Sequence, residues 1–189
     1  IITALLAQPN ARVVYKPHPR VVDSDDSRIR AGHQAIVQAL ELAITADPAA
    51  GHAALMDADM LGVLRSTDAL VADISSVTLD FLYSRPQAPI VLTDRRSNRE
   101  ALVLESPLAQ STYVVDSTTI DSFTEDLTVL VSHDEFATDR ERMRGHYFGN
   151  LAPGESTDRF WREVRRAMDE HDAALRNLSR IRVVSEEME

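Results

Sequence analysis

The sequence predicts an α/β fold: a parallel sheet with helices on both faces. Three observations predict it. Short apolar runs rich in β-branched residues recur along the chain, at Val13-Val-Tyr15, Ala69-Leu-Val-Ala72, Pro89-Ile-Val-Leu92 and Thr112-Tyr-Val-Val115. Helical patterns separate them, which is the alternation of parallel βαβ units. Turn, cap or charged residues follow each run, so the loops after the strands carry most of the chemistry.

Taken in order, residues 1–8 read as the end of a helix closed by Pro9-Asn10, and 12–16 as a short buried strand. Pro17-His18-Pro19 is expected to be extended, because each proline removes a donor and disfavours helix in the residue before it. Cap residues at 23–27 open a helix whose apolar positions Ile29, Ile36, Val37, Leu40 and Ile44 share one face up to Asp47-Pro48. A strand near Ala53–Met56, a short helix over 59–66 and a strand over 69–72 follow. A helix over 76–84 then leads to a strand over 89–92, a helix near 100–105 and a last strand over 112–115. From there the pattern is helical, over 120–132, 134–146 and 157–179, with an acidic, frayed tail at 183–189. His146, Tyr147, Phe148 and Trp161 are expected to pack the last helices against the sheet.

The chain of 189 residues suits one domain, and its formal charge of −10 argues against a general nucleic-acid binder, which needs a basic face. With no cysteine, disulfide and thiolate chemistry are excluded. No apolar run approaches the roughly 20 residues of a membrane span, and no signal peptide is visible. The chain starts mid-pattern at Ile1-Ile2-Thr3, as a piece of a longer protein would. No His/Asp/Glu set has metal-ligand spacing, and neither a Gly-x-Gly-x-x-Gly nor a Walker A sequence is present, so neither a metal nor another cofactor is expected.

The most informative stretch is Asp68-Ala-Leu-Val-Ala-Asp-Ile-Ser-Ser-Val-Thr-Leu-Asp-Phe-Leu82. It reads as a strand, a tight turn and a helix start carrying two hydroxyls. There the free N–H groups and the positive end of the helix dipole favour an anion. Ser75 and Ser76 either cap this helix or offer their hydroxyls to a diphosphate. Asp73 is expected to fix the turn through backbone N–H groups. Asp80 lies among Val77, Leu79, Phe81 and Leu82, where a buried carboxylate would need partners. It binds ligand hydroxyls or caps a neighbouring loop.

Lys16 and His18 stand where another strand ends. Held between two prolines, the His18 imidazole is well aimed to donate a hydrogen bond or a proton, or else it is a solvated loop residue. Gly154, Ser156 and Thr157 form a second glycine-and-hydroxyl helix start, with Ser156 or Thr157 a natural N-cap. Arg95, Arg96 and Arg99 follow a third strand and are within the reach of an anion or simply solvated.

Lys16-Pro-His-Pro19, then Ala72-Asp-Ile-Ser-Ser-Val-Thr-Leu-Asp-Phe81, then Gly154-Glu-Ser-Thr157 before Arg159-Phe160, resembles the CDP-glycerol glycerophosphotransferase family. These are the bacterial teichoic-acid polymerases and primases. The likeness covers roughly residues 12–165 in order and spacing. Ile74 stands where the family often has tyrosine, and Ala152-Pro153 replaces the usual residues before the glycine. The resemblance implies a GT-B enzyme of two Rossmann-like domains, with this chain forming most of the C-terminal, donor-binding one. It implies His18 as a catalytic donor to the leaving phosphate. Lys16, Ser75, Ser76, Asp80, Gly154, Ser156 and Thr157 would hold the donor. It places the catalytic base in an N-terminal domain and an opening strand before Ile1. The chain on its own is then expected to be inactive.

The partners so implied are CDP-glycerol, or a related nucleotide-diphosphate donor, and a lipid-linked acceptor reached through the full-length protein at the cytoplasmic face of the membrane. Two other readings of the same residues stay open. One is a nucleotide-sugar glycosyltransferase or epimerase of the same fold, and the other is a catalytically inert α/β interaction module.

Overall fold

The computed structural model describes residues 1–186 except 124, 126, 128, 129, 131, 132 and 153, and for 177–186 it describes the backbone alone. The fold is α/β, with short parallel strands alternating with helices in a Rossmann-like manner. The strands are β1 (Val14–Tyr15), β2 (Ala53–Ala54), β3 (Leu70–Ala72), β4 (Ile90–Thr93) and β5 (Tyr113–Val115). The helices are α1 (Ile2–Leu6), α2 (Pro19–Val22), α3 (Ser27–Ala46), α4 (Met60–Arg65), α5 (Ser76–Ser84), α6 (Arg99–Glu105), α7 (Ala137–Phe148) and α8 (Glu155–Glu186). Where the sequence suits one domain, the chain divides into two compact units, Ile1–Tyr147 and Phe148–Glu189.

In the first unit the sheet is split. β1 pairs with β2 in parallel, Val14 opposite Ala53, and β3–β4–β5 form a second parallel sheet, with Val71 opposite Val91 and Leu92 opposite Val114. The reason lies in backbone pairing: β1 and β3 are each an edge, hydrogen-bonded on one side only. Burial follows the same logic. β4, with a partner on each side, buries Ile90, Val91 and Leu92, whereas β3 is half-buried along its length. Side chains alternate between the sheet faces. Val91 and Val115 pack with Phe123, Leu127 and Leu130 and with Ala4 and Leu5 of α1. Ile90 and Leu92 are fully buried on the opposite face. The three-stranded sheet is therefore covered on both sides.

The helices begin where the sequence supplies caps. Asp26 Oδ1 accepts from Arg28 N at 2.8 Å to open α3, Asp59 Oδ2 from Gly62 N at 2.7 Å to open α4, and Asn98 Oδ1 from Ala101 N at 3.0 Å to open α6. α5 buries Thr78, Phe81 and Leu82, the i, i+3, i+4 stripe of a helix resting on a sheet. It ends where Arg85 N donates to Phe81 O at 2.7 Å, just before Pro86.

A fully buried arginine closes the unit at its far side. Arg140 of α7 donates from Nε to Pro86 O at 3.0 Å and from Nη2 to Gln87 O at 3.3 Å, and it pairs with Asp134. Asp134 also accepts from Phe136 N at 3.1 Å and from the Tyr113 hydroxyl at 3.3 Å. One guanidinium thus ties α7 to the turn between α5 and β4.

Several sequence expectations change here. His18 is extended (ψ 140°), but Pro19 opens the short helix α2 instead of prolonging the extended run. α8 starts at Glu155 and its backbone stays helical through 183–186, which were expected to fray. No glycine or proline interrupts it over that span, and residues 187–189 lie outside the described residues. Trp161 lies in the second unit and is 52% exposed. The helix expected over 120–132 falls partly outside the described residues. Within it Phe123, Leu127 and Leu130 are helical and buried.

Candidate functional site

The carboxyl ends of β3, β4 and β5 lie along one edge of one sheet, because the three strands are parallel. The segments that follow them, 73–76, 94–98 and 116–119, therefore border the same edge, the usual ligand position of an open parallel sheet.

The turn after β3 delivers the N-terminus of α5. Ser75 is its extended N-cap (φ −156°, ψ 167°), yet its side chain makes no capping bond. The helix opens instead on main chain and threonine: Ser75 O accepts from Thr78 N at 3.2 Å and from Thr78 Oγ1 at 2.6 Å. Of the two alternatives for these serines, plain capping is thus not the one found. Among the described residues neither the Ser75 nor the Ser76 hydroxyl has a hydrogen-bond partner. Both are left to an external acceptor beside the free N–H groups of the first turn.

Asp80 follows Ser76 by four residues and shares its outward face, away from Thr78, Phe81 and Leu82. Its carboxylate is exposed and unpaired among the described residues, so the burial that would have demanded partners does not arise. Asp73 is also exposed and accepts no backbone N–H among the described residues, contrary to its expected part in fixing the turn.

A residue to which the sequence assigned no role organises the next loop. Asp94 is 4% exposed, and its carboxylate accepts from Arg96 N at 3.1 Å and Asn98 N at 2.8 Å. The Asn98 amide first, then the amide and guanidinium of Arg96, hold its carboxyl below the usual carboxylate range. The signal was present: an aspartate opening a strand-to-helix loop that closes on asparagine is a turn-forming pattern.

Within this loop Ser97 adopts a left-handed φ of 50°, and its hydroxyl meets Ser117 Oγ at 2.6 Å, joining the loops after β4 and β5. Asp116 accepts from Thr118 and Thr119 to shape the latter, and its carboxyl is lowered by the Thr118 hydroxyl and amide foremost. Arg96 forks onto Glu105 at 2.6 and 3.0 Å and is spent there. Arg95 is exposed and without a partner among the described residues.

His18 and Lys16 stand at the carboxyl end of β1, on the other sheet. His18 caps α2, its Nδ1 accepting from Arg20 N at 3.1 Å. That assigns the lone pair to Nδ1 and leaves Nε2 as the exposed donor of the neutral ring. The Lys16 ammonium donates to Met56 O at 2.6 Å, so it bridges to the segment after β2. Among the described residues, no hydrogen bond joins either of them to Ser75, Ser76 or Asp80.

Gly154, Ser156 and Thr157 belong to the second unit. Gly154 takes φ 85°, a conformation that favours glycine. α8 begins directly after it, so Ser156 and Thr157 lie inside the first turn instead of capping it. Glu155 instead ties the preceding segment to the helix: its Oε2 accepts from Ala152 N at 2.9 Å while Oε1 receives Arg159, and these bonds, the Ala152 amide first, lower its carboxyl.

No group of three or more potential metal ligands occurs among the described residues. Among them, no helix is long and apolar enough to cross a membrane. Compared with known proteins, the chain matches no family profile, no curated protein and no solved structure.

Proposed function

We propose that the first unit binds the diphosphate of an activated nucleotide donor, as the donor-holding part of a glycerophosphotransferase. The observation that carries this reading is the start of α5. Two serine hydroxyls at the carboxyl end of β3 are withheld from capping and stand beside free helix N–H groups. The Asp94 and Asp116 loops bind their own backbones tightly, so they frame the site and leave the serines as its open donors.

In this reading the acceptor hydroxyl attacks the β-phosphorus of CDP-glycerol. The bond from that phosphorus to the bridging oxygen breaks, CMP departs with the electron pair, and the acceptor's proton passes to a base elsewhere in the full protein. Ser75, Ser76 and the α5 amides supply fixed dipoles for the charge that gathers on the departing CMP. Nε2–H of His18 is the group that can donate a hydrogen bond to it. Asp80, one turn along the same face as Ser76, is placed for hydroxyls of the ribose or glycerol. Lys16 supports the β1 end through Met56 O, and Gly154, Ser156 and Thr157 belong to the donor site only through the resemblance. Work on a lipid-linked acceptor at the cytoplasmic face of a bacterial membrane belongs to the same proposal.

Calorimetric titration of the chain with CDP-glycerol, CMP and a UDP-sugar tests it. CDP-glycerol is expected to bind most tightly, and the Ser75→Ala/Ser76→Ala pair is expected to weaken it about tenfold, near the 1.4 kcal/mol that one lost hydrogen bond to a charged group represents. Because the Ser75 hydroxyl caps nothing, the same pair should leave the melting temperature essentially unchanged. Tighter UDP-sugar binding would move the reading to a nucleotide-sugar enzyme. Absence of any nucleotide binding would leave an interaction module.

A further inference from the structure

The second unit carries a surface that nothing above uses. Along α8 the positions Trp161, Val164, Met168, His171, Leu175 and Leu178 alternate three and four residues apart, and Phe160, Ala167 and Ala174 widen the same stripe. Val164 apart, the described members of this stripe are exposed: Phe160 is 61%, Trp161 52%, Met168 62% and Leu175 49% accessible. These four large side chains offer on the order of 500 Å² of mostly apolar surface, the upper end of what a monomer normally leaves open.

We infer that this stripe is a coiled-coil seam and that its occupant is α8 of a second copy of the chain. A spacing of 3.5 residues keeps a stripe in line only against a partner helix that supercoils with it. α8, with 32 residues, has that repeat over nearly three heptads. Two copies together would remove about 1,000 Å², the threshold of a specific interface.

Charge bears on the occupant. Between Glu155 and Glu186 there are seven arginines and seven acidic residues, so the helix lacks the net positive charge that holds an amphipathic helix on an anionic bilayer. Asp158, Arg165 and Asp172 border the stripe on one side and Glu163 and Glu170 on the other, and both glutamates are held in place by Arg166, at 2.9 and 3.0 Å. Flanks of mixed sign on a helix with no net positive charge suit a second copy of the same helix better than an anionic surface.

The absence of cysteine makes the test clean. Sedimentation should give twice the chain mass. Met168→Cys, on the seam, should oxidise to a disulfide-linked dimer, while Ala173→Cys, on the outer face, should not. Met168→Glu should weaken self-association at least 100-fold with the far-ultraviolet helix signal retained. The inference is overturned by a monomer at about 100 μM, where a 1 μM interface would be nearly saturated. It is equally overturned by equal crosslinking at 168 and 173, or by a monomer whose binding to anionic vesicles depends on Met168.

Discussion

Arg140→Leu is the perturbation that most directly tests how the first unit is held together. The side chain is completely buried, and four bonds leave it: to Pro86 O, to Gln87 O and two to Asp134. Leucine fills part of the volume but returns none of these donors. Each carbonyl left dry costs about 1–3 kcal/mol. Asp134, 14% exposed, keeps Phe136 N and Tyr113 as partners but loses its counter-charge. Breaking a buried pair from one side typically costs about 3–5 kcal/mol in all. Against a total stability of roughly 5–15 kcal/mol, that is a large fraction.

Urea unfolding followed by circular dichroism should show the loss as a lower midpoint at similar slope. Arg140→Lys should recover only part of it, since an ammonium cannot span Pro86, Gln87 and Asp134 as the guanidinium fork does. Asp134→Asn in the Arg140→Leu background should restore about 1–2 kcal/mol by removing the stranded charge. A loss below about 1 kcal/mol for Arg140→Leu would refute the reasoning, because it would mean that water reaches these groups freely.

Two further outcomes are expected. The Asp94 carboxyl is depressed in the folded chain, so it contributes stability above the ordinary carboxylate range that disappears as pH falls through its lower folded value. In a series of thermal melts from neutral to acid pH, Asp94→Asn should be less stable at neutrality and decline less steeply. A parallel offset at every pH would contradict this. Gly154→Ala should cost about 1 kcal/mol through its left-handed backbone alone, since nothing crowds the added methyl. Unchanged or raised stability in thermal melts would show that the turn does not need this conformation.

Periodicity and cap chemistry made much of the fold readable in advance. α5 spans the residues its pattern marks, 76–84, because Thr78, Phe81 and Leu82 recur at helical spacing and Arg85-Pro86 ends the run. The positions of β1, β3, β4 and β5 were equally legible from their apolar runs, though β1 shrinks to two residues, whereas β2 is a pair of alanines with no such run to mark it. The exposure of Asp80 could have been derived too: it is four residues from Ser76 and off the 78/81/82 stripe. The part played by Asp94 was half-visible, in the turn-forming residues that close its loop.

The sequence by itself determined the alternation of parallel strands and helices, the position of the hydroxyls at the start of α5 and the heptad spacing along α8. These are local properties, written in neighbours three or four residues apart. Only the tertiary structure decided that the sheet divides between β1 and β3, that Ser75 withholds its hydroxyl from the cap, and that Arg140 is buried among carbonyls 53 and 54 residues away. Edge pairing, the choice between a main-chain and a side-chain acceptor, and the desolvation of a charge each depend on which distant groups arrive alongside. No local pattern carries that information.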